Sequence, residues 1–216
     1  MSTLFDKYHA QVLPQVQKAL EKHYFTPTVH DSLAAALDHL TGSIIDDEVK
    51  SVGFGGSTGV GQSDLLVRLS KMPGLKVLDR NNPKLNPEER QEMSRQCLLT
   101  DLYIASANAV TFDGLVVNLD KFGNRVAGIS FGPHKVALIV GRNKICQNLD
   151  EARARIKTVA APLNAMRLNT PTPCARVGRC HDCQGEGRIC GVWSVVERSF
   201  PIGRIHVLLV NEDLGF

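Results

Sequence analysis

The sequence predicts an α/β protein built on a mainly parallel sheet, with a cysteine-rich excursion near its C-terminus. Three observations predict it. Short apolar runs alternate with helical periodicities through the first half of the chain, a glycine-rich turn joins one such run to a helix, and four cysteines crowd into turn-forming sequence between Cys174 and Cys190. Alternation of strand and helix marks a parallel sheet, because parallel strands need a crossover connection between them.

The elements follow in order. Leu4, Tyr8, Val12, Val16 and Leu20 recur at near-helical spacing and predict a helix over 3–24, with Pro14 a local irregularity. A second helix is expected at about 31–42, capped by Asp31 or Ser32 and ending at Gly42. KSVGF then reads as a strand, expected to be central in the sheet, GGSTGVG as a turn, and SDLLVRLSKM as a helix that stops near Pro73 and Gly74. LKVLDR is a second strand. NPEERQEMSRQCLLTD is a helix whose first turn holds Pro87 and acidic residues, both suited to a helix N-terminus. LYIASANAV reads as a third strand. From Thr111 to Val140 the runs are β-rich and broken by Asp113-Gly114, Gly123-Asn124 and Gly132-Pro133, so a meander of short strands is expected. A helix over about 148–166 follows, with Pro162 as its kink; after the cysteine segment, VWSVVERS and RIHVLLVNEDLGF are two final strands.

A chain of 216 residues suits a single domain over 1–216, with the four-cysteine segment 171–191 inside it. A hydrophobic fraction of 43% and a charged fraction of 22% fit a soluble globular protein, and a net charge of +3 is too small to argue for nucleic acid. No apolar run approaches the roughly 18 residues of a membrane span. The segment MSTLFDKYHAQVLPQ lacks the layout of a signal peptide, so a cytoplasmic location is expected. Disulfides are disfavoured in that compartment, and a tight cysteine cluster there reads as metal-binding or redox-active.

Four places could carry chemistry. The first is the turn Gly55, Gly56, Ser57 and Thr58, at the end of a strand and the start of a helix. Glycine lets backbone N–H groups approach an anion, and strand C-termini are where open α/β sheets bind ligands. The turn matches neither the dinucleotide fingerprint nor a phosphate-binding loop with its lysine. The second is the run from Asn108 to Arg125. Most of its polar residues are ordinary turn chemistry. Asn108, Asn124 and Arg125 are the candidates for a ligand, with Arg125 placed to meet Asp113 or a ligand carboxylate. The third is Gly141-Arg142-Asn143-Lys144, at the end of an apolar strand, with Asn164, Arg167 and Asn169 flanking the next helix end.

The fourth is the cysteine segment. Cys174, Cys180, Cys183 and Cys190 are spaced C-x5-C-x2-C-x6-C. Only the middle pair is a zinc-type knuckle; the opening is one residue longer than that of plant-type ferredoxins. An iron–sulfur cluster is expected, with zinc as the alternative. Interleaved Arg176, Arg179 and Arg188 can offset the charge of the thiolates. Cys97 and Cys146 sit in apolar contexts and read as buried thiols.

Several phrases together resemble one family: VGFGGSTGV, ANAVTFDGLVVNLDKFGNRVAG, FGPHKVALIVGRNKI, AAPLNAMRL and RIHVLLVNEDLGF. They resemble the LUD-domain proteins, named for lactate utilisation, and the cysteine segment resembles a subset of that family. The resemblance implies a Rossmann-like three-layer sandwich similar to the sugar-isomerase and CoA-transferase class. It also implies a part in oxidising lactate or a related 2-hydroxy acid, with redox partner proteins; a small anionic ligand is what the glycine turn itself leads to. The family pattern leads to an acidic residue at Phe112; here Asp113 alone supplies a carboxylate. Two other readings stay open. One is an isomerase or acyl transferase using the same turn with Asp113 as its catalytic acid–base. The other is a non-enzymatic protein whose zinc-stapled segment is a docking surface.

Overall fold

The computed structural model describes residues 3–56 and 63–216. Its main sheet has six strands, in the order β1 (Thr26–His30), β10 (Ile205–Val210), β7 (Lys135–Gly141), β4 (Leu102–Ala105), β2 (Ser51–Phe54) and β3 (Lys76–Leu78). All neighbours are parallel. A smaller sheet is ordered β8 (Ile145–Cys146), β5 (Ala109–Thr111), β6 (Val116–Asp120) and β9 (Val192–Val196), with β6 antiparallel to both its neighbours.

Side-chain alternation along the main strands makes the sandwich. Tyr103, Ala105, Val136, Leu138, Val207 and Leu209 point to one face, where α1 (Leu4–Lys22) lays down Val12, Leu13, Val16 and Leu20. Leu102, Ile104, Ala137, Ile139, Leu208 and Val210 point to the other. There they meet Ala36 and Leu37 of α2 (Leu33–His39) and Leu65 and Leu69 of α3 (Leu65–Ser70). A sheet covered on both faces must read as near-continuous apolar runs, which these strands do. The result is a Rossmann-like three-layer α/β fold, as expected.

Local chemistry sets the ends of the helices. Thr3 and Asp6 form a capping box on α1, and Asn86 and Glu89 form another on α4 (Pro87–Gln96). Pro14 is accommodated inside α1 because it lies on the exposed side, opposite the residues that face the sheet.

One strand is unforeseen, and four expectations need correction. Residues 26–30 form an edge strand that propensity hides, since Pro27 is tolerated only at an edge. LYIASANAV is two strands, because Ser106, Ala107 and Asn108 carry the chain from the main sheet to the small one. Residues 124–130, expected within a meander, form α5 (Asn124–Ser130), whose first turn is held by the Asp120 carboxylate. The 148–166 helix is α6 (Leu149–Arg155), a π-helical turn over 156–160 and α7 (Ala161–Arg167). Pro162 stands in the first turn of α7. The widened turn before it accommodates the ring and the missing N–H. Finally, β2 is not central; β7 and β4 are, and β2 lies one strand from the edge.

The cysteine segment begins with a short helix, α8 (Pro173–Val177), and packs on α7 through Ala165, Cys174 and Ile189. No helix among the described residues is long and apolar enough to cross a membrane.

Candidate functional site

A cleft of about 600 Å³ opens at the C-terminal edge of the main sheet. Its wall draws on three strand ends: Gly55 and Gly56 after β2, Arg80 and Asn81 after β3, and Ser106 after β4. Asp120 and Asn124 come from the end of β6 and the start of α5, and Asn164 and Arg167 from α7. This is where a doubly covered parallel sheet holds its ligands, because the chain leaves every strand at the same edge.

Of the anticipated site residues, Gly55, Gly56, Asn108, Asn124 and Arg125 line this cleft, although they are far apart in sequence. Ser57 and Thr58 lie outside the described residues. Asp113 is placed elsewhere. It is exposed on the β5–β6 turn, where its carboxylate accepts a hydrogen bond from the Thr111 hydroxyl. The next residue, Gly114, has φ +89° and would set a Cβ 2.8 Å from the backbone of Ala19 in α1. The Asp113-Gly114 pair therefore docks a hairpin on a helix.

Arg125 meets Asp120, not Asp113. Its Nε and Nη2 donate to Asp120 Oδ1 at 2.9 and 2.7 Å. Nη2 also reaches Asn108 Oδ1 at 2.6 Å, and Nη1 reaches the Ser106 carbonyl at 3.3 Å. Meanwhile Asp120 Oδ2 accepts from the backbone N–H groups of Arg125 and Val126, capping α5. Both partners are largely buried, at 13% and 7% side-chain exposure, so the pair braces the cleft floor. Asn108 joins this brace to α6, since its carbonyl accepts from Arg155 Nη1 at 2.9 Å.

Cations dominate the wall. Arg80, Arg90, Lys121, Arg125, Lys144 and Arg167 line the cleft, while Asp120 is the one side-chain carboxylate among the described lining residues and is already paired. Arg80 Nε is buried without a partner among the described residues. Turning the Asn124 amide lets its oxygen accept from Arg80 Nη1 at 2.8 Å. Lys144 is 4% exposed, and its Nζ donates to Ser106 Oγ at 2.9 Å. Burial, then the guanidiniums of Arg125 and Arg155, bring its pKa down to about 7. A concave surface of this sign attracts an anion.

Sequence reading passed over Arg80, yet a signal was there: LDRNN and VGRNK both place Arg-Asn just past a parallel strand. Arg142 of the second phrase is drawn away by Asp6 and Asp213, to which it donates at 2.5 and 3.0 Å, leaving Lys144 to line the cleft.

The four cysteines of the segment line a second, small cavity together with Lys157, Asp182 and Arg188. The Asp182 N–H donates to Cys180 Sγ at 3.5 Å, and the Thr172 hydroxyl lies 3.4 Å from Cys174 Sγ. Arg188 holds the loop by donating to the carbonyls of Cys183 and Cys190. Burial raises the Cys190 pKa, with Cys180 and Cys174 adding to it. Among the described residues no three His, Cys, Asp or Glu side chains are grouped as ligands of one metal ion. Ala161, Ile189 and Cys190 line both cavities, so the segment forms part of the cleft wall. Cys97 and Cys146 are buried thiols; burial pushes Cys146 up to about 11.

A crystal structure of a DUF162 family protein from Deinococcus radiodurans is similar at TM-score 0.52 and 17% identity, over 93% of this chain and 97% of that one; this likeness is one of fold. No curated protein matches the chain. A family profile described as the LUD domain matches residues 13–210, nearly the whole of both sheets and the cleft, and the chain belongs to the LUD-domain family.

Proposed function

We propose that the protein binds a small carboxylate anion in the cationic cleft and serves the oxidation of lactate or a related 2-hydroxy acid, with the cysteine segment holding an iron–sulfur cluster. The observation that carries this reading is the shared wall: Cys190 and Ile189 face both the anion cleft and the four-cysteine cavity. In this reading a site for an anion adjoins a site for a one-electron carrier. Cys174, Cys180, Cys183 and Cys190 would hold the cluster, which supplies electron transfer when bound. The chain's own residues do the rest. Arg80 offers to a carboxylate a buried Nε–H that has no partner among the described residues, Arg125 supplies fixed positive charge, and Lys144 with Ser106 presents an amine and a hydroxyl to a neighbouring oxygen. Unpaired cysteines suit the reducing cytoplasm, where we place the protein. The isomerase or transferase reading keeps the glycine turn but loses its acid–base, because Asp113 lies outside this cleft.

Purification without oxygen tests the metal. The expected product is brown protein with iron and acid-labile sulfide, a paramagnetic signal on one-electron reduction, and loss of both in Cys190→Ser. Colourless protein carrying zinc, or protein that takes up neither metal, overturns the electron-transfer part.

A further inference from the structure

Lys144 differs from the other cations of the cleft. It sits in the short turn Arg142–Lys144 after β7, almost fully buried, with Ser106 Oγ as its hydrogen-bond partner. The charged groups that bear on it are both positive, Arg125 from α5 and Arg155 from α6. Asp120, the carboxylate of the lining, is engaged by Arg125 and by the first turn of α5. A buried amine influenced by two guanidiniums and facing a cavity has no counter-ion of its own among the described residues; an anion in the cavity would complete it.

We propose that anion binding in this cleft draws a proton onto Lys144, so that the cleft is a proton-coupled site for a small oxyanion. The inference rests on the anion-binding half of the reading above and not on the metal. An opposite charge close to an amine favours its protonated form. Linkage makes the effect mutual, so the proton raises anion affinity by the factor by which the anion raises proton affinity. Where Lys144 is already charged, the anion binds with no proton exchanged. At higher pH, binding is accompanied by uptake of up to one proton. In the limit where only the charged form binds, affinity falls roughly tenfold per pH unit.

Calorimetric titration with L-lactate and with sulfate, at about pH 6 and about pH 8.5 in two buffers of different ionisation heat, tests this. Weaker binding and proton uptake at the higher pH are expected. In Lys144→Arg, whose charge is fixed, both effects should vanish; Lys144→Met, which keeps the buried methylenes, should take up no proton either. Coupled binding of lactate alone identifies a carboxylate site and of sulfate alone a site for inorganic-type oxyanions, and either upholds the coupling. Equal affinity at the two pH values, undiminished uptake in both variants, or no binding of either anion by the wild-type protein overturns it. No iron enters the titration, so a failed cluster reconstitution leaves this result standing.

Discussion

Arg204 is buried with no carboxylate partner among the described residues, and three backbone carbonyls take its place. Its Nε, Nη1 and Nη2 donate to Pro133, Ile129 and Gly128 at 2.9, 2.7 and 3.0 Å, satisfying acceptors at the end of α5 and in the loop after it. Replacing it with Met strands all three. We expect a loss on the order of 3 kcal/mol by urea denaturation, since each is a hydrogen bond to a charged donor. Lys144 makes a different prediction. Its folded pKa of about 7 lies below the ordinary 10.5, so between those values the unfolded chain binds more protons than the folded one. Its contribution to stability therefore rises with pH across that window and is least favourable below it. The difference in urea midpoint between wild type and Lys144→Met, followed from about pH 6 to about pH 10, should shrink as pH rises, with Met favoured most at the acid end. A constant difference would mean that Lys144 stays charged. Both residues show why single positions were hard to read from sequence. A lysine after an apolar strand resembles any solvated strand end, and its burial is decided by α5 and α6, which arrive from elsewhere in the chain.

At the scale of elements, what the sequence revealed depended on locality. The capped helices and the apolar strands β7 and β10 were visible because their signals lie within their own residues. β1 was hidden because TPTVH owes its strand state to pairing with β10, about 180 positions away. α5 was hidden because NRVAGIS, rich in β-branched residues and glycine, has weak helix propensity. It becomes helical through Asp120, which caps it and pairs with Arg125. Asp120→Ala should cost about 3–5 kcal/mol in chemical denaturation, because it leaves a largely buried guanidinium unpaired as well as an uncapped helix. Asp120→Asn retains an acceptor for the cap and should cost less. Of the candidate site, the glycine turn and the Asn108–Arg125 run were legible as strand-end chemistry. That Arg125 would be claimed by Asp120 was not, since any nearby carboxylate satisfies the same sequence pattern.

Across the whole molecule, the cysteine segment is peripheral to the core. Its apolar contacts are few and run to α7 and the small sheet, whereas the six-stranded sheet is covered by α1 on one side and by α2 and α3 on the other. Cys174→Ser should therefore loosen residues 171–191 without melting the sheet. Limited proteolysis should cut within the segment sooner in the variant, while far-ultraviolet dichroism stays unchanged; concerted loss of both would show that the segment is part of the core. The fold class was legible at this scale because the alternation of elements is a property of the entire chain. The strand order was not, because nothing local says that the last strand inserts between β1 and β7.

That insertion has a consequence for how the chain is made. β10 separates β1 from β7, so β1 has no partner among the described strands until residues 205–210 have followed it out of the ribosome. During translation the nascent sheet is a four-stranded fragment, β7-β4-β2-β3, with one side of β7 unpaired and α1 lacking much of the surface it covers. Such an open flank is a template for pairing between neighbouring polysomal chains, and a reason for trigger-factor-type chaperones to hold the fragment. Arrested nascent chains stopping short of residue 205 should bind such a chaperone and remain protease-sensitive at residues 4–30. Chains extended far enough for β10 to clear the exit tunnel should shed it and become resistant there.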